Sequence, residues 1–171
     1  MFKNAIAAAA LLVVAGFAGQ AMAQTSTSSF KAKITIQKAC DVTTTAPTDL
    51  NFGSHLTTDA PPNEATPGTI TVNCSKNTPY TIGLRPSSAN GGDDNGNGKM
   101  SSTTSSDLVP YKLYQDAGRT TLWGNVSGNV LSGTRASGDP VAKTYQVYGK
   151  VPSVDFTPAS YEDTVAVTLT Y

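Results

Sequence analysis

The sequence predicts an all-β sandwich, and three observations carry that prediction. Once a 23-residue leader is set aside, 40 of the remaining 148 residues are Thr or Ser, against only 2 Glu and 8 Leu. That balance disfavours helix and suits strands and turns. The 13 Gly and 10 Pro left in that stretch punctuate short apolar runs along its length. Several of those runs alternate apolar and polar residues with the period of two that turns one face of a strand inward. A mature length of 148 residues suits one domain with its own core.

The leader carries Lys3, an apolar stretch over residues 5–18, and Ala21-Met22-Ala23 before Gln24. This is the pattern of a secretory signal peptide. Gly16 and Gly19 interrupt its apolar core, which falls short of the roughly 20 residues that span a bilayer. The mature chain is therefore expected to be exported without membrane insertion. With Lys3 removed, 11 basic residues face 12 acidic ones, a net charge of −1 with no block of like charge. Nucleic acid and anionic membranes are poor partners on that ground.

The elements follow in order. After a polar arm at 24–29, residues 30–37 alternate without a break, with Phe30, Ala32, Ile34 and Ile36 on one face. Further strands are expected at 50–53, 69–74, 80–85, 108–115, 121–124, 144–151 and 164–171, eight in all. In the last of them Val165, Val167, Leu169 and Tyr171 face one way and the threonines and Ala166 the other. Residues 59–67, with three prolines, and 87–97, rich in Gly, Asn, Asp and Ser, read as surface loops. Cys40 and Cys74 are the only cysteines, and in an oxidising compartment they read as one disulfide. It closes a loop of about 35 residues and stabilises by roughly 4 kcal/mol on the chain-entropy estimate.

Catalytic patterns are weak. A Ser-His-Asp arrangement would need His55, the only histidine, beside Ser54. Nothing there predicts the strand-turn-helix elbow that exposes a nucleophile. With one histidine and two cysteines, the soft ligands fall one short of a structural zinc site. Asp93-Asp94 and Glu162-Asp163 pair carboxylates as glycosidases do, but each pair is adjacent in the chain and reads as a solvated turn. Residues 93–98 match the opening of an EF-hand loop, yet position twelve is Thr104 and no helical pattern flanks it. No metal, cofactor or catalytic residue is expected. Trp123, with Tyr111, Tyr114, Tyr145 and Tyr148, is a candidate sugar platform, but strand alternation sends about half such residues inward and Trp123 reads as the core aromatic.

The remaining feature is the strand at 30–37, which serves either as an ordinary first strand or as one added to the sheet edge of another subunit. Here three stretches carry a resemblance. They are Tyr111-Lys112-Leu113-Tyr114-Gln115-Asp116-Ala117-Gly118-Arg119-Thr120-Thr121-Leu122-Trp123-Gly124, then Tyr145-Gln146-Val147-Tyr148-Gly149-Lys150-Val151-Pro152, and finally residues 157–171. With the leader and the two cysteines, they make the chain similar to the spore coat U / secreted pilin family, which includes major pilins of archaic, Csu-type chaperone-usher pili.

The resemblance implies an immunoglobulin-like sandwich lacking its last strand, with an exposed apolar groove. It implies three segments: a signal peptide at 1–23, a donor extension at 24–38 and an incomplete domain at 39–171. Phe30, Ala32, Ile34 and Ile36 would be donated to a neighbour, and Val165, Val167, Leu169 and Tyr171 would edge the acceptor groove. The implied partners are further copies in a homopolymer, a periplasmic chaperone and an outer-membrane usher. The implied role is that of a surface pilus subunit serving adhesion and biofilm formation. A spore or cell-surface coat protein and a monomeric secreted binding module are the alternatives.

Overall fold

The computed structural model describes residues 24–43 and 45–171, so the signal peptide expected over 1–23 lies outside the described residues. The chain divides into two compact units, Met1–Thr35 and Ile36–Tyr171. In the first, residues 24–35 are exposed and form no strand. The second unit carries every strand that the described residues form.

Eight strands build two antiparallel sheets: β1 (Cys40–Asp41), β2 (Gly68–Cys74), β3 (Pro79–Pro86), β4 (Asn97–Met100), β5 (Val109–Tyr114), β6 (Leu131–Thr134), β7 (Ala142–Lys150) and β8 (Val165–Thr170). One sheet has the order β1-β2-β7-β5-β4 and the other β6-β3-β8. This is an all-β, immunoglobulin-like sandwich. The alternation read from the sequence explains the core. Ile70 and Val72 of β2, Ile82 and Leu84 of β3, and Tyr111 and Leu113 of β5 bury their side chains between the layers, while Lys112 and Arg85 point to solvent. Cys40 and Cys74 are register partners across β1 and β2 and are joined as a disulfide.

Five of the expected strands coincide with β2, β3, β5, β7 and β8, and three do not form. Residues 30–37 make no ladder, because a lone extended segment has no partner to satisfy its backbone. Residues 50–53 contribute a single bridge, Asn51 to Thr66. There the Asn51 carboxamide accepts from the Gly53 N–H at 2.7 Å and Gly53 turns the chain with φ of 84°. Residues 121–124 contribute only the bridge Leu122 to Tyr114, because the chain then leaves β5 for the opposite sheet. In exchange β1, β4 and β6 appear in stretches the alternation missed, and the loop read at 87–97 contains the short 3-10 helix Ser88–Asn90.

Candidate functional site

Among the described residues β8 is an edge strand, hydrogen-bonded to β3 alone. Its register sets Leu169 opposite Ile82 and Val167 opposite Leu84. On β3 those partners are 0 % and 1 % exposed, yet Val165, Val167 and Leu169 on the inward face of β8 are only half-buried. The same alternation on two adjacent strands thus produces two burial levels. The difference marks a face with too little cover, beside a row of backbone groups with no ladder partner.

A cleft of about 420 Å³ lies along that strand. Ile70, Leu113 and Val147 form its wall on the five-stranded sheet, with Val165 and Val167 opposite. The charged residues that line it are Asp49, Glu162 and Asp163, with no Lys, Arg or His among the described lining residues. The buried Tyr111 hydroxyl donates to Asp163 Oδ2 at 2.8 Å. Burial first, then the hydrogen bond to Asp163 and its negative charge, pushes the Tyr111 hydroxyl far above the ordinary tyrosine range. Asn90 Nδ2 donates to the other Asp163 oxygen at 3.4 Å. Tyr171 is 60 % exposed beyond the end of β8, beside Thr170 and Pro79 rather than in the cleft.

The N-terminal residues present the opposite pattern. Phe30, Ile34 and Ile36 are 93 %, 85 % and 83 % exposed, and Ala32 is exposed as well. Apolar side chains of this size in water are costly unless something covers them.

Trp123 is fully buried, its indole N–H donating to the Ile82 carbonyl at 2.9 Å. Tyr80 and Tyr145 join their hydroxyls at 2.7 Å. Asp93 does not stand open to a cation: its carboxylate accepts from Asn95 N, Asn97 N and Asn97 Nδ2 and closes its own loop. Among the described residues no cluster of three or more His, Cys, Asp or Glu side chains could hold a metal. His55 Nε2 lies 2.7 Å from the Phe52 carbonyl and Nδ1 3.6 Å from Asp59. No helix of the described residues is long and apolar enough to cross a membrane.

Sequence reasoning passed over the ion pair of Glu64 and Arg119. The Glu64 side chain is 3 % exposed and its Oε1 lies 2.5 Å from Arg119 Nη2, while Gly149 N donates to Glu64 Oε2 and Arg119 Nε donates to Gly149 O. The signal available was rarity, Glu64 being one of two glutamates in the chain.

The structure resembles a chain of the crystal structure of the CsuC-CsuE chaperone-tip adhesion subunit pre-assembly complex from archaic chaperone-usher Csu pili of Acinetobacter baumannii. The TM-score is 0.55 at 24 % identity, over 80 % of this chain and 40 % of that one. The sequence is 40 % identical over 74 residues to Protein U of Myxococcus xanthus, a match covering 43 % of this chain and 40 % of that protein. The chain thus spans well under half the length of the relative it matches. The family described as Spore Coat Protein U domain matches residues 26–168. That span takes in the exposed N-terminal residues as well as both sheets, and the chain belongs to the Spore Coat Protein U domain family.

Proposed function

We propose that this chain is a structural subunit of a surface pilus, exported through the periplasm and assembled by the chaperone-usher pathway through donor-strand exchange into a homopolymer. In this reading residues 39–171 are the receiving domain. Residues 24–38 are the donor, with Phe30, Ala32, Ile34 and Ile36 turned into a neighbour's groove edged by Val165, Val167 and Leu169, Tyr171 lying past the end of that edge strand. A periplasmic chaperone covers the groove before assembly, and an outer-membrane usher exchanges it for the arm of the next subunit. The fibre serves adhesion and biofilm formation, and no catalysis or cofactor enters the role.

The observation that carries the reading is a pair of complementary deficits. β8 leaves an apolar face half-covered at an unpaired edge, and three large apolar residues stand exposed in a segment without a ladder. Burying Phe30, Ile34 and Ile36 at roughly 1.5 to 3 kcal/mol each, with ladder hydrogen bonds added, approaches the stability of a whole domain. An uncovered groove of this kind promotes aggregation, which gives the chaperone its purpose. The fold shared with a chain of a chaperone-tip subunit complex supports the pathway. Kinship with Protein U favours a second reading, a coat subunit built from the same strand exchange.

The test is an unboiled denaturing gel of material sheared from expressing cells. A ladder that collapses to one band on boiling is expected of the wild type, and Ile34→Asp should leave monomer alone. Fibres of normal number in Ile34→Asp would remove the donor assignment. A single monomer band from the wild type, unboiled, would instead favour a self-complete module.

A further inference from the structure

We infer that the groove selects the arm of a second copy of this chain by charge as well as by shape, with the lysines of one subunit paired to the acidic rim of the next. The inference rests on the proposed strand exchange and adds a determinant of partner choice and assembly rate. Over residues 24–39 the chain carries Lys31, Lys33 and Lys38 and no Asp or Glu, all of them exposed. The groove carries Asp49, Glu162 and Asp163 and no cation among its described lining residues. In a chain whose mature charges nearly cancel, this separation of sign between two segments stands out. It falls on the two surfaces whose apolar residues lack cover.

The placement suits the chemistry. When Phe30, Ile34 and Ile36 point into a groove, strand alternation turns Lys31 and Lys33 away from its floor, and their flexible stems let the ammonium groups reach a rim. Asp49 and Glu162 are exposed and free to move toward them, while Asp163 is held in place by Tyr111 and Asn90. Exposed charges of opposite sign speed encounter and reject like-charged competitors more than they add affinity. An arm bearing carboxylates at positions 31 and 33 would meet repulsion in this groove.

The experiment uses full-length mature chains, refolded by dilution from denaturant and followed by the appearance of the boiling-sensitive ladder. Screening should slow wild-type ladder formation about tenfold between about 20 mM and about 500 mM NaCl, whereas docking by apolar contact alone gains nothing from low salt. Two variants make the sharper test. Lys31→Glu/Lys33→Glu has an acidic arm and an acidic groove, and Asp49→Lys/Glu162→Lys has a basic arm and a basic-rimmed groove. Each should polymerise slowly alone, and an equimolar mixture should recover the wild-type rate as an alternating copolymer. Wild-type rates for each variant alone, a rate indifferent to salt, or a mixture no faster than its components would each overturn the charge pairing while leaving strand exchange intact. Absence of any ladder from the wild type would instead remove the reading on which the inference rests.

Discussion

Trp123 joins the two sheets through one residue: its backbone N–H donates to Leu113 of β5 at 2.9 Å, and its indole N–H donates to Ile82 of β3, also at 2.9 Å. The neighbouring Gly124 carbonyl accepts from Leu84 N at 3.0 Å. Asn125 lies so close that a Cβ at Gly83 would sit 1.9 Å from its side-chain oxygen. The segment after β5 is therefore a rivet between the layers rather than a strand.

Replacing that indole should be among the most damaging single changes. Trp123→Ala is expected to cost about 3 to 5 kcal/mol from lost packing. Trp123→Phe is expected to cost about 1 to 3 kcal/mol, since it keeps much of the ring but loses the hydrogen bond to the Ile82 carbonyl. Urea unfolding measures both. In the wild type the single tryptophan should emit at short wavelength and resist aqueous quenchers until the fold opens.

The Glu64 and Arg119 pair predicts a coupled loss. Glu64 is almost fully enclosed and Arg119 has a side-chain exposure of 18 %, so removing either partner strands a charge in a poorly solvated place. Arg119→Ala and Glu64→Ala should each cost about 3 kcal/mol, at the low end of what broken buried pairs lose. The double variant should cost much less than the sum. Additive losses in a double-mutant cycle would show that the two side chains act independently.

Acid should weaken the fold through its loop aspartates. Burial would raise the Asp93 carboxyl, but hydrogen bonds from Asn97 and Asn95 outweigh it and hold the group below the usual carboxylate range. Backbone N–H groups of Thr120 and Thr121 lower Asp116 in the same way. A lowered folded value means the stabilisation is complete above the unfolded value of about 4 and disappears as pH falls through the folded one. Asp93→Asn should therefore be less stable than wild type at neutral pH, with the gap narrowing as pH falls through the lowered folded value of Asp93. Urea midpoints at neutral and acid pH check it.

Alkali should act at the opposite end of the scale. Burial, and then the hydrogen bond and charge of Tyr145, push the Tyr80 hydroxyl well up, and Tyr111 is raised by burial and Asp163. Their stabilising effect is fully present below the unfolded value of about 10 and is lost as pH climbs toward the raised ones. Of the seven tyrosines, these two should ionise only as the protein unfolds. Absorbance titration near 295 nm should therefore show a late, cooperative step, and a single smooth titration of all seven would contradict the burial.

Strand identity was legible where alternation ran for six residues or more inside the sandwich, as in β2, β3, β5, β7 and β8, whereas residues 30–37 alternate as clearly and form no strand. β4 and β6 are four-residue strands containing Gly98 and Gly133, too short and too poor in apolar side chains to show a period. Their glycines answer to tertiary neighbours: a Cβ at Gly98 would sit 2.2 Å from Tyr111, and one at Gly133 would sit 2.6 Å from Tyr80. Such close approaches leave no local trace beyond the glycine itself. The pairing of Glu64 with Arg119, 55 residues apart, was invisible for the same reason.

The sequence by itself determined which side chains of each long strand share a face, because a period of two is a local property of the backbone. It also placed an apolar, lysine-bearing segment at residues 30–38. Only the tertiary structure decided that β8 has a neighbour on one side alone, that its inward face is half-covered, and that Asp49, Glu162 and Asp163 gather at one cleft. Which strand becomes an edge depends on the order in which distant segments pair, and the burial of a face depends on what the opposite sheet brings to it. Neither is encoded in any short stretch of the chain.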